Sequence, residues 1–267
     1  MRVEVRGLDY AYGRTKVLED IDLTLDGPGL VCVIGPNGVG KSTLAKCILG
    51  LNRSSPGSVL IDGTDADVYG LKERAKVMGY VPVSSNETFS LPVIELVMMG
   101  RHPHQKMGNV TDTDRRIVRR SMNMMGIRDL ALQSTSELSA GQSQKAAIAK
   151  GLAQTPRLLI LDEPTSNLDV RHQMQVTQLL SELSHSTGMT VLMVSHDLNI
   201  SAKYADEIVM MAPPGVIYRT GTPSDVLTED NIRRVYGVDC RVIDDEGRPH
   251  VILKRALDAE NDGWTSL

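Results

Sequence analysis

Residues 35 to 43 combine residue types that suit the binding of a nucleoside triphosphate. Their glycines let the backbone turn tightly, so that successive N–H groups point at phosphate oxygens. Lys41 supplies a positive charge for the outer phosphates, and the Ser42 hydroxyl is a ligand for Mg²⁺. The competing interpretation is a glycine-rich turn that carries a lysine by chance. The predicted nucleotide-binding residues here are Gly35, Pro36, Asn37, Gly38, Val39, Gly40, Lys41, Ser42 and Thr43.

The flanking sequence predicts the strand and the helix that would hold this loop. Leu30 to Ile34 is a continuous apolar run typical of a buried parallel strand. After the loop, Leu44, Cys47, Ile48 and Leu51 recur at helical spacing. A helix that begins at the loop directs the positive end of its dipole at a bound anion. Strand, loop and helix in this order favour nucleotide binding over the chance turn.

Polar side chains follow two further apolar strands. Asp162 and Glu163 come after Leu158 to Leu161, and His196 follows Val191 to Val194 closely. Ligand sites of open parallel sheets lie at the carboxyl ends of the strands. We therefore expect Asp162 to hold Mg²⁺, directly or through water, Glu163 to polarise the attacking water, and His196 to bridge Glu163 and the terminal phosphate. Taken singly, an aspartate or a histidine after a strand is often only structural.

Composition limits the classes of function. The chain has 29 Lys and Arg against 33 Asp and Glu, a formal charge of −4, which argues against a protein built to wrap nucleic acid. One Phe, one Trp and seven Tyr make base-stacking platforms an unfavourable interpretation. The apolar runs are strand-sized, and the first residues lack the apolar core of a signal peptide. We expect a cytoplasmic protein that reaches a membrane only through a partner, and we expect its three cysteines to be core thiols.

Strands that alternate with helices predict an α/β fold with a mostly parallel sheet, built as a P-loop NTPase core. Residues 1 to 26 carry short alternating segments that suit an antiparallel β-layer. Residues from about 84 to 149 show the periodicity of an inserted helical subdomain. We expect a single domain over 1–255. Its predicted parts are a core over 1–83 and 150–255 and a helical insert over 84–149, followed by a mobile tail over 256–267.

The order of the motifs along the chain resembles the ATP-binding cassette family, and the resemblance covers residues 1 to about 255. Leu138 to Gln142 reads Leu-Ser-Ala-Gly-Gln and is similar to the family signature Leu-Ser-Gly-Gly-Gln, with Ala140 in place of the first glycine. The motifs are, in order, Tyr12, Gly35 to Thr43, Leu138 to Gln142, Asp162 with Glu163, Ser166 to Asp169, and His196.

The resemblance implies roles that the residues alone do not. Tyr12 would stack on adenine, and Ser139 and Gly141 would reach the terminal phosphate of ATP held by a second copy, so that two copies enclose two nucleotides head to tail. Ser166 to Asp169 resembles the family's D-loop, which crosses this interface. N-capping explains Ser139 and Asp169 equally well. The implied cofactors are ATP and Mg²⁺, and the implied partner is an integral membrane permease, contacted through the helical insert from the inner face of the cell membrane.

Finer features look like the ATPases of importers for ferric siderophores, haem and cobalamin. These features are Phe89 to Val93, Met99 to His104, Gly221 to Pro223, Asp225 to Thr228 and Tyr236 to Val238. His102 and His104 also suggest a metal pair, but their two-residue spacing in a loop with proline favours a surface loop near the permease contact.

One position departs from the family pattern. Where members usually read Tyr-Val-Pro-Gln, this chain has Tyr80 to Val83 as Tyr-Val-Pro-Val. Valine can neither coordinate Mg²⁺ nor hydrogen-bond the attacking water, so hydrolysis and coupling to transport are in question, whereas nucleotide binding should survive. Besides an importer ATPase, two interpretations stay open: a soluble cassette ATPase of DNA repair or cluster assembly, and a regulatory module that hydrolyses ATP weakly.

Overall fold

The computed structural model describes residues 1–83, 90–106, 108–166 and 168–257. The strands in these ranges are β1 Arg2–Tyr12, β2 Thr15–Asp26, β3 Gly29–Ile34, β4 Val59–Ile61, β5 Thr64–Asp65, β6 Met78–Val81, β7 Leu158–Asp162, β8 Thr190–Val194, β9 Glu207–Ala212, β10 Val216–Gly221, β11 Val238–Asp245 and β12 Arg248–Ala256. The α-helices are α1 Lys41–Leu49, α2 Leu71–Val77, α3 Val93–Met98, α4 Asp112–Met124, α5 Ala140–Ala153, α6 Val170–Thr187, α7 Leu198–Tyr204, α8 Pro223–Val226 and α9 Glu229–Tyr236.

A six-stranded sheet with the order β10-β9-β3-β8-β7-β6 forms the centre of the fold. The strands from β9 to β6 are parallel to their neighbours, and only β10 runs antiparallel at its edge. Both faces are buried, since Leu30 and Cys32 of β3 pack into one hydrophobic cluster and Val31 and Val33 into the other. The predicted α/β class is confirmed. The carboxyl ends of β3, β7 and β8 therefore meet at one edge.

The N-terminal residues form the predicted antiparallel layer. β1 pairs with β2 and with β4, in a four-stranded sheet of order β2-β1-β4-β5. Every second residue of β2 from Ile21 to Leu25 is buried, which is the pattern of a sheet with one face in the core. These side chains share a cluster with Leu44 and Ile48 of α1, so the layer packs on the helix that follows the phosphate loop.

The described part of the segment between β6 and β7 consists of helices joined by turns and loops. α3, α4 and α5 contact one another, and Arg101 ties them together: its Nε donates to Asp114 of α4 at 2.8 Å and its Nη1 to the carbonyl of Ala153 at 2.7 Å. Burial raises the pKa of Asp114, but hydrogen bonds from Thr111 and Arg101 outweigh this effect and lower it to about 2. The insert boundary at 149 falls inside α5; the domain limits stay a prediction.

The C-terminal part packs into the hydrophobic cluster on one face of the central sheet. Helix α9 packs against β11, and α7 packs against β12 of the terminal hairpin. Cys32, Cys47 and Cys240 are buried, as expected for core thiols, and burial raises the pKa of the Cys32 thiol to about 12. None of the helices in the described ranges has the length and apolar character needed to cross a membrane. Most of the predicted tail, residues 258–267, lies outside the description, as does Phe89.

Candidate active site

The phosphate loop connects the end of β3 to the start of α1. Gly35, Gly38 and Gly40 have φ angles of 150°, 78° and 104°, which L side chains rarely adopt. Space is a second constraint, because a Cβ on Gly35 would lie 2.5 Å from the carbonyl oxygen of Met211. Positive φ and close packing together explain why glycine is needed at these turns.

Lys41 bonds the loop that precedes it. Its Nζ donates to the carbonyl oxygens of Gly35 at 2.8 Å and Pro36 at 2.9 Å. Burial lowers the pKa of the Lys41 ammonium, and the negative charges of Glu163 and Asp162 act in the opposite direction. The ammonium is thus held under the loop, within the field of the two consecutive carboxylates at the end of β7.

Asp162 is buried at the end of β7 and accepts two hydrogen bonds. Its Oδ1 accepts from the Ser42 hydroxyl at 2.7 Å and its Oδ2 from the Tyr80 hydroxyl at 3.4 Å. Burial and the charge of Asp162 raise the pKa of Tyr80 to about 12, so the phenol keeps its proton as a donor. Two of the predicted site residues, Ser42 and Asp162, are thereby in direct contact across 120 positions of sequence.

Glu163 follows with its backbone in the left-handed region, at φ 49°. For a residue with a Cβ this conformation costs about 1–2 kcal/mol, so surrounding contacts must hold it. The backbone N–H of Glu163 donates to the carbonyl of Val194 at 3.2 Å, and its own carbonyl accepts from the backbone N–H of Ser166 at 3.3 Å. The carboxylate Oε1 contacts Nε2 of His196, which follows the neighbouring strand β8. The turn therefore directs the carboxylate toward His196.

Lys41, Ser42, Glu163 and His196 line one open cleft of about 460 Å³, whereas Asp162 lies outside its lining and is bonded to Ser42. Val17, which the sequence patterns did not indicate, lies under the cleft on β2. The hydroxyl of Tyr12 accepts a hydrogen bond from Asn52 at 3.0 Å, and its half-exposed ring stands edge-on to Tyr10, with the ring centroids 5.0 Å apart. The lining consists of Tyr12, Val17, Asn37, Gly38, Gly40, Lys41, Ser42, Thr43, Glu163 and His196.

Other predicted residues lie outside the lining of the cleft. Val39 packs into the core beneath the loop. Ser139 is the N-cap of α5, where its hydroxyl accepts from the backbone N–H of Gln142 at 3.3 Å and its own N–H donates to the Gln142 side chain at 2.9 Å. Gly141 lies in the same exposed turn. Within one chain, the structure does not bring Ser139 and Gly141 to the phosphate loop.

The structure also describes His102 and His104, the two residues of the alternative metal pair. Both residues lie in a 3-10 helix at Met99–His104, where Nε2 of His104 is 2.8 Å from the carbonyl oxygen of Gln154. A protein carbonyl therefore already bonds one nitrogen of the pair. The described residues contain no group of three or more His, Cys, Asp or Glu side chains arranged to hold a metal ion.

Similarity to known proteins extends along most of the sequence. Residues 18–166 match the protein family described as ABC transporter. The chain belongs to this family. It is 37% identical over 252 residues to an uncharacterized ABC transporter ATP-binding protein of Methanocaldococcus jannaschii, covering 94% of this chain and 98% of that protein. It is also 37% identical over 254 residues to the ferric enterobactin transport ATP-binding protein of Escherichia coli, covering 94% of this chain and 93% of that protein.

A solved structure supports the same assignment at the level of the fold. The chain matches one described as an inward-facing conformation of a metal-chelate type ABC transporter, with a TM-score of 0.82, 25% identity and coverage of 95% of this chain and 97% of that one. As a member of the ABC transporter family, the chain binds and hydrolyses ATP.

Proposed function

We propose that the chain is the ATPase subunit of a multi-subunit importer and works as a head-to-tail pair with a second copy. The observation that carries hydrolysis is the convergence of Lys41, Glu163 and His196 on one cleft. In the proposed reaction, a water oxygen bonds to the terminal phosphorus as the bridging P–O bond to ADP breaks. Glu163 takes the proton from that water, and its contact with His196 keeps the carboxylate over the phosphate loop.

The chain offers oxygen ligands that fit Mg²⁺. The hydroxyl of Ser42, which lines the cleft, is 2.7 Å from Oδ1 of Asp162, and hydroxyl, carboxylate and water oxygens are the ligands that this ion prefers. We assign Ser42 and Asp162 as the residues that hold it. Bound Mg²⁺ supplies neutralisation of the negative charge on the outer phosphates.

The exposed turn at Ser139 supports the pairing with a second copy. Its backbone N–H groups lie at the N-terminus of a 14-residue helix, a position that favours anions, and neither Ser139 nor Gly141 lines the chain's own cleft. A second chain, related by a two-fold axis, would place each turn over the other's terminal phosphate. Tyr12 would stack on the adenine from the opposite end of the cleft.

Cargo and placement rest on the relatives and on the loops of the chain. The Escherichia coli relative is named for ferric enterobactin transport and the matching structure for a metal chelate. We infer a cargo of the class of ferric siderophores, haem or cobalamin. The same likeness supports a position at the inner face of the cell membrane, peripheral to a permease that the helical insert contacts.

Co-expression tests the transport assignment. The chain is expressed together with a candidate permease of a metal-chelate importer, and the permease is purified in detergent through its own tag. We expect the chain to co-purify in equal copies with the permease, and the Lys41→Ala variant to do the same, because docking does not require nucleotide. Retention of ATPase activity without permease binding would favour the soluble cassette ATPase instead.

Val83 favours the alternative in which the chain hydrolyses ATP weakly, and a substitution at this position tests that alternative. Its side chain is exposed at the end of β6, where the family usually has glutamine. We expect Val83→Gln to raise the rate of phosphate release about 10-fold, or about 1.4 kcal/mol in the barrier, because an amide oxygen can align the metal and water. Steady-state release at saturating Mg-ATP, with the permease present, measures this effect.

The matched control for that change is Val83→Leu, which alters size without adding an oxygen. The affinity for ATP should be the same in all three proteins, since the phosphate loop is untouched. Equal rates for the parent and Val83→Gln would show that water or another group already serves this position.

A further inference from the structure

His172, in the first turn of α6, connects two segments that the proposed dimer interface uses. Its Nδ1 lies 2.9 Å from both carboxylate oxygens of Asp169, the N-cap of α6. The opposite side of the ring faces Gly141 of the signature turn, Ser139–Gln142, across about the width of one side-chain carbon. A Cβ built on Gly141 would be 3.4 Å from Cδ2 of His172 and 3.7 Å from its Nε2. The imidazole thus stands between the D-loop residue Asp169 and the signature turn.

Asp169 fixes the orientation of this ring. The backbone N–H of His172 donates to Oδ1 of Asp169 at 2.9 Å, so the cap bond and the ring contact converge on one carboxylate. The backbone hydrogen bond from His172, followed by the contact with its ring, lowers the pKa of Asp169. A carboxylate that stays ionised holds Nδ1, and the remaining edge of the ring is left facing Gly141.

The same turn of α6 is also bonded to the segment that follows Glu163. The side-chain amide of Gln173 donates to the carbonyl of Thr165 at 3.0 Å. Ser166 donates to the carbonyl of Glu163 through its backbone N–H at 3.3 Å and through its hydroxyl at 3.1 Å. Hydrogen bonds therefore connect the first turn of α6 to the backbone of Glu163, and the ring of His172 on that turn faces Gly141.

We propose that His172 is a positioning residue that sets the distance between the signature turn and the D-loop residues Ser166 and Asp169. Both segments must meet the second copy at once when the dimer closes, and His172 holds them in one arrangement beforehand. This inference rests on the proposed head-to-tail dimer. His172 is not part of the cleft lining, so it does not contact the nucleotide that its own chain binds.

The test uses the Glu163→Gln background, in which the ATP-bound dimer should accumulate. We expect His172→Ala to raise the ATP concentration for half-maximal dimer about tenfold, measured by light scattering after gel filtration, because the charge-assisted hydrogen bond to Asp169 and the ring that fills the space beside Gly141 are lost. The affinity of the monomer for ATP, measured by calorimetry at protein concentrations too low for dimer, should be unchanged. If His172 only stabilised the fold, His172→Ala would weaken both the formation of the dimer and the binding of ATP to the monomer.

The chain provides a matched control on the same helix. His185 is similarly exposed and lies 3.2 Å from Oδ1 of Asp206, but it sits in the last turn of α6, away from the signature turn. His185→Ala should leave the dimer threshold where it is. His172→Gln should restore part of the effect, because its amide can still donate to Asp169.

Each remaining outcome is decisive. Should the Glu163→Gln protein dimerise with ATP while His172→Ala behaves identically, the inference is wrong and the proposed dimer stands. Should the Glu163→Gln protein bind ATP without forming a dimer, both are wrong. A loss of monomer affinity in His172→Ala would assign the residue to nucleotide binding and overturn the positioning role.

Discussion

Lys41→Ala should lose at least about 100-fold in affinity for Mg-ATP, or about 2.8 kcal/mol. The side chain contributes the ammonium of the cleft, and charge-assisted hydrogen bonds to phosphate oxygens are each worth about 1.5–3 kcal/mol. Burial already disfavours the charged form of Lys41. The negative charges of Glu163 and Asp162 offset this effect in part. A bound phosphate would add a far closer negative charge, so most of the favourable interaction of this lysine is realised only with nucleotide present. Titration calorimetry measures the affinity.

Loss of binding through disorder of the loop must be separated from loss of the charge. Lys41 also bonds the carbonyls of Gly35 and Pro36, so its removal frees two acceptors within the loop. Thermal unfolding followed by circular dichroism reports on this second effect, which should be small because the glycine turns are fixed by packing. Lys46→Ala, in the last turn of the same helix, is the matched control and should bind normally. Unchanged affinity for Mg-ATP in Lys41→Ala would contradict the assignment of this cleft as the nucleotide-binding site.

The central strands of the fold could be predicted from sequence because they are buried on both faces. The apolar runs at 30–34, 158–161 and 191–194 differ by one residue at an end from the observed β3, β7 and β8. A strand buried on both sides reads as continuous apolar sequence, which separates it from the helices around it. Ligand sites of open parallel sheets lie at the carboxyl ends of the strands. The sequence therefore predicted that the carboxylates at the end of β7 and the histidine after β8 lie at the same edge of the sheet.

The contacts that depend on register could not be predicted in this way. Tyr80 reaches Asp162 because β6 pairs with β7 so that Tyr80 lies opposite Ile160. Nothing local in the sequence encodes the alignment of two parallel strands separated by the helical segment. The left-handed backbone of Glu163 is also invisible in sequence, since glycine is the usual signal for that conformation and here a carboxylate occupies it. The position of the His172 ring beside Gly141 depends on how α5 and α6 approach each other.

Glu163→Gln should bind ATP as the parent does and hydrolyse it about 10²- to 10⁴-fold more slowly. General bases contribute rate factors of this size, and the amide has the same shape but cannot accept the proton of the attacking water. The left-handed turn and the hydrogen bond to Val194 are made by the backbone, so they should survive the change. Single-turnover release of phosphate gives the rate, and calorimetry gives the affinity. With hydrolysis blocked, ATP-bound dimer should accumulate in gel filtration.

A second substitution, on the exposed signature turn, tests whether the accumulated dimer forms through that turn. In Glu163→Gln with Ser139→Arg, the bulky guanidinium lies where the phosphate of the other copy must approach. This double variant should bind ATP and stay monomeric. The thermal stability of Ser139→Ala, which also loses the cap bond to Gln142, shows how far the loss of the cap itself weakens α5.

Hydrolysis at the parental rate in Glu163→Gln would exclude this carboxylate as the base. His196 would then be the next candidate for the base among the described residues that line the cleft, and the pH profile of the His196→Ala variant would decide whether it activates the water.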